Sequence, residues 1–321
     1  MSPSVWISIP PSTQEYLSSP ASDTTCDEEE DNRRIRPWWP ACRNLLKLHG
    51  FRLETVGDVK QYYRQTPSVS PSPHFDVYRD LDDDTLCPDA GLPDNLFRGL
   101  RTTDGKRVVI KAVTRRSREL DIIRFLSSPS ARSHSMNHCI PVLDIIEDDE
   151  IAFIVMEQWS SQLIPDGGPC CLRPFLSSMR QCIEHAVFMH AHRVAHLDIS
   201  LRNLLTDYRG NYAYIDYELS RRFEEPNPLI SGGRLGTEVP PECHTDNCYD
   251  PFKVDVFALG VLILRACKLT GHCVPELVEI VRPMLRDNPN QRPGVGFVLR
   301  AFDNMLCSIT DDRLKYCHNS R

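Results

Sequence analysis

No stretch of this chain is apolar for long enough to cross a bilayer. The longest run, residues 256–264, falls well short of the roughly 20 residues that a spanning helix needs. Basic charge is not in surplus either: over 321 residues the formal net charge is −7, which argues against general binding to nucleic acid or to an anionic membrane. Met1-Ser2-Pro3-Ser4 supplies neither a basic n-region nor an apolar h-region, so no signal peptide is expected, and the expected setting is intracellular, cytoplasmic or nuclear. Internal repeats and Cys-x-x-Cys pairs are also missing. The thirteen cysteines are irregularly spaced and odd in number, and in a reducing compartment they read as small buried hydrophobes. Cys243, His244, Cys248, His272 and Cys273 include zinc-type ligands, but their intervals match no standard finger.

What is present is the composition of a globular protein, 41% hydrophobic and 25% charged. Residues 1–35 stand apart, rich in Ser, Pro and Thr and then acidic from Asp27 to Asp31, too polar to bury a core of their own. An extension and linker over 36–75 follows. Pro37-Trp38-Trp39-Pro40 leads into Leu45, Leu46 and Leu48 and stops at Gly50, which predicts a short helix packed on the main domain. The proline- and serine-rich stretch 66–74 reads as a loop.

Regular signals begin near residue 76. Segments 96–100 and 107–112 flank Asp104-Gly105 and predict a hairpin, followed by a helix through Leu120, Ile123 and Leu126 and two strands over 140–146 and 151–156. Beyond Trp159 the pattern is helical. Phe175, Met179, Cys182, Ala186 and Met189 share one face. Residues 256–264, apolar all round, predict a fully buried central helix. Pro275 opens a helix expected to turn Val278, Val281 and Leu285 inward, and 295–306 reads as the last.

Three short strings carry chemistry. Val108-Val109-Ile110-Lys111 ends an apolar strand on an ammonium. His196-Leu197-Asp198 has Asn203 five residues after the aspartate, and Ile215-Asp216-Tyr217-Glu218 supplies a second carboxylate. A cation, a carboxylate with an amide, and a further carboxylate, in that order, are what phosphoryl transfer from ATP requires: charge on the phosphates, ligands for Mg²⁺, and a group to orient a hydroxyl.

On these residues the chain resembles the eukaryotic protein-kinase superfamily over 76–307, with 308–321 a C-terminal tail. The resemblance implies an α+β, bilobal fold with a small β-rich N-lobe and a mainly helical C-lobe. It further implies ATP and Mg²⁺ as cofactors and a protein hydroxyl, most often Ser/Thr, as acceptor, with no nucleic-acid or membrane partner. Lys111 then contacts the α/β-phosphates and pairs with Glu119. Met156, Glu157 and Trp159 form the gatekeeper and hinge that meet the adenine. Asp198 is the catalytic base, and Asn203 and Asp216 are the metal ligands. Arg202 supplies a cation near the γ-phosphate. Pro240-Pro241-Glu242 closes the activation segment, which contains Ser220, Ser231 and Thr237. Asp255 marks the central helix, and Arg292 pairs with Glu242.

The chain also departs from the pattern. Only Gly91 remains of a glycine-rich phosphate loop expected at 89–94. Pro93 offers no N–H, and Asp89 and Asp94 are expected to repel a triphosphate, so weak ATP affinity is anticipated. Leu197 replaces the arginine of His-Arg-Asp. Ser200 stands in the place of the catalytic-loop lysine. Glu218 replaces the glycine of Asp-Phe-Gly, as an extra metal ligand or as a charge that weakens nucleotide binding. Three readings follow: an active protein kinase, a pseudokinase acting as a binding or scaffolding module, and a small-molecule phosphotransferase of related fold.

Overall fold

Alternation of apolar side chains across 96–114 sets up a hairpin whose two faces are both covered. The computed structural model describes residues 32–65, 80–163, 171–245 and 247–315, so the acidic run and the 66–74 loop lie outside the described residues. Strands β1 (Phe51–Leu53), β2 (Leu96–Arg101), β3 (Arg107–Thr114), β4 (Val142–Glu147) and β5 (Ile151–Glu157) form one antiparallel sheet in the order β1-β2-β3-β5-β4. Gly105, at φ 69°, makes the β2–β3 turn, a conformation that costs glycine least.

Val108, Ile110 and Ala112 point to one face, where Leu46 and Trp39 of helix α1 (Trp39–Leu48) close a core with Phe97 and Phe153. The predicted short helix is therefore a lid on the outer sheet face. Trp39 is its buried anchor, donating its indole N–H to the Asp94 carbonyl at 2.9 Å, whereas Trp38 is 75% exposed. Val113, Ile154 and Met156 face the other way, towards helix α3 (Arg118–Leu126) and the helical lobe. Ser117 caps α3 through the Leu120 amide, and Glu119 and Asp121 sit in its first turn, where helix-dipole charge favours them.

The sheet begins earlier than residue 76. Phe51 to Leu53 pair with Arg101 to Gly99, so the β1–β2 connection runs over 54–95 and contains helix α2 (Val56–Gln65), neither of which periodicity revealed. Strand β1 has only three residues, too few to show a period-2 pattern.

The helical lobe is built on α4 (Leu172–Ala191) and α5 (Pro251–Thr270). The five residues predicted to line one face of α4 are all buried. Helix α5 starts with an Asp250 cap and Pro251 and ends on left-handed Gly271. Phe257, Val261 and Leu264 are only partly buried, so the helix is not sealed on every side. Helix α6 (Pro275–Val281) turns Leu277 and Val281 inward: Val281 is buried as expected, whereas Val278 is 40% exposed and Leu285, beyond the helix, is partly buried. After α7 (Val295–Ser308) a further helix, α8 (Asp311–Lys315), continues beyond the expected end of regular structure and is tied back by Arg313–Glu276 and Arg173–Asp311 pairs.

The cysteines are not uniformly buried. Cys87 and Cys182 are, while Cys248, Cys273 and Cys307 are exposed. Among the described residues no three His, Cys, Asp or Glu side chains converge into a group that could hold a metal, and no helix is long and apolar enough to cross a membrane.

Candidate active site

Between the sheet and the helical lobe lies a cavity of about 330 Å³. Strand β3 delivers Lys111 to it, because Lys111 sits on the sheet face opposite Ile110. The Lys111 ammonium donates to Glu119 Oε1 at 2.7 Å and to Asp216 Oδ1 at 2.8 Å, 105 residues further along the chain. Burial alone would lower the Lys111 pKa, but the two carboxylates outweigh it and hold the group well above its ordinary value. Burial acts on Asp216 in the opposite sense from Lys111 and Arg34, whose charges prevail and keep its carboxyl below the usual range. The ammonium and the Asp216 carboxylate are therefore both ionised and poised. Glu119 Oε1 also accepts from the Tyr217 amide at 3.2 Å, so α3 is coupled directly to the segment that carries Asp216.

Asp198 and Asn203 sit on the loop between β6 (Val194–Ala195) and β7 (Leu204–Thr206). Asp255, on the buried side of α5, props that loop: its two oxygens accept from the His196 amide at 2.8 Å and the Leu197 amide at 2.7 Å. Leu197 (φ 64°) and Asp216 (φ 63°) both adopt left-handed backbone, which is rare outside glycine; at Leu197 the Asp255 hydrogen bond to its amide sustains it. Asn203 donates to the Asp198 carbonyl at 2.9 Å and to its Oδ2 at 2.8 Å, and the Asn203 carbonyl accepts from the Ile215 amide at 3.0 Å, which draws the Asp216 segment against it. Arg202 is exposed and lines the cavity beside Asn203.

Sequence reading overlooked two neighbours. The Thr237 amide donates to Asp198 Oδ1 at 2.6 Å, and Gly236 passes so close that a Cβ there would lie 2.3 Å from the Leu197 carbonyl oxygen. The adjacent Gly-Thr pair was the available signal, with a glycine marking a close approach of backbone to backbone.

Met156, Glu157 and Trp159 line the other end of the site, at the end of β5. The Glu157 amide is committed to the Pro141 carbonyl and the Gln158 amide to Arg107, whereas the Trp159 backbone N–H donates to nothing among the described residues. The Glu157 side chain pairs with Lys106 and accepts from the Trp159 indole at 3.1 Å, so it is occupied outside the cavity. Two lining residues keep a buried polar atom without a partner among the described residues, Asn95 Oδ1 and Gln158 Oε1. Such atoms are costly unless a ligand or water meets them.

The 89–94 segment does lie over the cavity, through Gly91, Leu92 and Pro93, but it is the end of the long β1–β2 connection and not a hairpin tip. Its aspartates are also less repulsive than expected. Asp89 accepts from Arg98 Nε at 2.6 Å, and Asp94 pairs with Arg36 at 3.2 Å. Glu218 is no spare metal ligand. One oxygen takes Arg34 at 2.9 Å and the other takes Arg234. Arg292 and Glu242 form the expected pair through both terminal guanidinium nitrogens, Nη1 and Nη2, with the Arg292 side chain fully buried.

Asn203 retains its amide oxygen and Asp216 its second carboxylate oxygen, two hard donors on one cavity wall. That donor set fits Mg²⁺, which takes few protein ligands and fills its shell with phosphate oxygens and water.

The family model described as protein kinase domain matches residues 94–273. Among curated proteins, the chain is 26% identical over 218 residues to the human "NUAK family SNF1-like kinase 2", covering 62% of this chain and 33% of that protein. It is 24% identical over 160 residues to the Bacillus subtilis "Serine/threonine-protein kinase PrkC", covering 47% and 24%, and 27% identical over 156 residues to the mouse "Sperm motility kinase Z", covering 45% and 28%. The chain thus spans a third or less of the length of these relatives.

Proposed function

The chain belongs to the protein kinase domain family, and on that basis we propose that it transfers the γ-phosphoryl group of ATP to a protein hydroxyl, of Ser or Thr in preference to Tyr. The observation that carries this reading is the convergence of Lys111, Asn203 and Asp216 on one cavity from three distant segments, with Asp198 hydrogen-bonded to Asn203 beside it. Relatives named as kinases, one of them a serine/threonine kinase, support the acceptor class.

In this reading Lys111 neutralises phosphate oxygens while Glu119 fixes where its ammonium points. Asn203 and Asp216 hold Mg²⁺, which when bound offsets charge on the phosphates and orients them. Asp198 orients the acceptor hydroxyl and takes its proton as the oxygen attacks the γ-phosphorus, while the bond from that phosphorus to the β–γ bridging oxygen breaks and ADP leaves. The Thr237 amide and the Asn203 side chain fix that carboxylate from both sides. Arg202 steadies the γ-phosphate from the cavity rim. The Trp159 backbone N–H, left open at the hinge, meets the purine edge with Met156 and Glu157 beside it. Incorporation of label from γ-labelled Mg-ATP into the chain itself or a generic protein acceptor tests this. Loss of that label in Asp198→Asn is the expected control, and equal label in both would remove Asp198 from the chemistry.

One observation favours a second reading. The β1–β2 connection brings a proline and no glycine-rich turn over the cavity, so few backbone amides are available to cradle phosphate. A binding module that takes up nucleotide without turnover fits that roof. Thermal unfolding with Mg-ATP separates the two, since a ligand bound only by the native state raises the midpoint by mass action. A shift without transfer supports the module.

A further inference from the structure

Glu218 introduces a third carboxylate within two residues of Asp216, where it would compete with the phosphates for every nearby cation. The fold answers from a distance. Arg34, 184 residues upstream and just before α1, donates to Glu218 Oε2 at 2.9 Å, and Arg234 engages Oε1. Glu218 is nearly buried, its side chain 9% exposed, and a carboxylate so placed is tolerated only with cations beside it. Arg34 also lines the same cavity as Lys111. Two neighbouring ion-pair clusters result: Lys111 with Glu119 and Asp216, and Glu218 with Arg34 and Arg234.

The anchoring of Arg34 is itself built. Arg36 pairs with Asp94 and Trp39 is buried under the sheet, while Asn32 accepts from the Arg118 amide at the start of α3. The segment 32–39 therefore runs from α3 past the Asp216 segment to the roof of the cavity.

We propose that Arg34 is a positioning residue for the active site: by holding Glu218 away from the cavity it leaves Lys111 and Asp216 free to serve the nucleotide. Glu218 and Arg34 then form one unit, a charge substituted at the site and its counter-charge supplied from the upstream segment. This inference rests on the proposed kinase reading for its effect on nucleotide but not for its effect on the segment.

The test uses the full chain as wild type, Arg34→Ala, Arg34→Lys, Glu218→Gln and the Arg34→Ala/Glu218→Gln double variant. Two quantities are measured: the dissociation constant for Mg-ATP, and hydrogen exchange of the Tyr217 amide without nucleotide. Arg34→Ala is expected to weaken Mg-ATP binding by roughly tenfold, within the range of coupled charges in contact. It should also speed Tyr217 exchange. Glu218→Gln in the same chain should restore both, and Arg34→Lys should keep most of each, which a purely packing role for Arg34 would not produce. Where turnover is measurable the loss should appear in KM for ATP more than in kcat. Unchanged Tyr217 exchange in Arg34→Ala, tighter Mg-ATP binding in it, or a double variant no better than the single would each overturn the proposal. A wild-type chain that binds no Mg-ATP would instead remove the kinase reading, and the exchange measurement would still decide the role of Arg34.

Discussion

The Thr237 backbone amide donates to Asp198 Oδ1 at 2.6 Å, while Asn203 holds the other oxygen at 2.8 Å. The carboxylate proposed to receive a proton is thereby pinned by one group from the loop before it reaches β7 and by another from the activation segment nearly forty residues on. An acceptor hydroxyl meets a carboxylate of fixed direction, and the activation segment must be in place for that direction to exist.

Gly236 makes this contact possible. Any Cβ at that position would lie 2.3 Å from the Leu197 carbonyl oxygen and 2.9 Å from Asp198 Oδ1, and the first of these is backbone that cannot swing aside. Gly236→Ala is expected to push Thr237 off Asp198 and lower kcat by roughly 10²-fold, the scale of a misplacement of about 1 Å at a reacting group. Nucleotide affinity should change little, since the purine and Lys111 ends of the cavity are untouched. Steady-state phosphate transfer with a separate nucleotide titration checks both halves, and a parallel loss of binding would count against the explanation.

Lys111 and Asp198 are expected to fail differently. Lys111→Met removes the partner of one buried carboxylate, Glu119, and one partly buried, Asp216, so Mg-ATP binding and Tyr217 protection should both fall. Asp198→Asn keeps the shape but gives up one of the two hydrogen bonds that the carboxylate accepts; neither bond involves Lys111 or the hinge, so binding should survive while transfer is lost. Calorimetric titration of both variants with Mg-ATP distinguishes them, and identical affinities would sink the assignment of Lys111 to the phosphates.

How much of this was legible beforehand depended on how local each signal was. The β2–β3 hairpin was readable because Asp104-Gly105 and flanking alternation lie within a few residues. Lys111, Asp198, Asn203 and Asp216 were readable because each sits in a short string of residue types that the chemistry itself requires. Strand β1 was not, with three residues, nor was the inward turn of Leu277 in place of Val278, two adjacent apolar residues in a helix of seven, too short to fix a period. Arg34 was invisible for a different reason. Nothing in Asn32-Arg33-Arg34-Ile35 says that a carboxylate 184 residues away is waiting for it, because that pairing is a product of the tertiary fold alone.

The Arg292–Glu242 pair should dominate the stability of the helical lobe's lower half. Arg292 is fully buried and also donates to the Lys253, Arg286 and Asp287 carbonyls, so deleting it orphans a carboxylate and three carbonyl oxygens. Arg292→Met is expected to cost about 3–5 kcal/mol, as for breaking a buried ion pair from one side. In a domain of this size that lowers the unfolding midpoint by roughly 10 °C. Replacing both partners with apolar residues should recover part of the loss, since no lone charge remains buried. Thermal melts of the single and double variants decide it, and a double variant worse than the sum of the singles would contradict the argument.

Acid should unfold this protein through two buried histidines before it titrates the active-site carboxylates. His185 lies under the Asp216 segment. Its Nδ1 accepts from the His138 amide, so its proton is on Nε2, shared with the Tyr217 hydroxyl at 3.0 Å. Burial drives its pKa well below the ordinary 6.5, with His196 and His138 adding to the effect. His196 is lowered chiefly by burial too, against the pull of Asp255 and Asp198. A folded-state pKa below the unfolded one means that the unfolded chain binds the proton first. The stability from these neutral rings is therefore complete above about pH 6.5 and drains away as pH falls from there towards the folded-state values. The slope approaches about 1.4 kcal/mol per pH unit for each ring. Unfolding midpoints measured from pH 7.5 to 5.5 should drop steadily, and His185→Gln, which keeps a donor and an acceptor without a titrating ring, should flatten the curve by close to one proton. An unaltered slope in that variant would show that some other group carries the acid sensitivity.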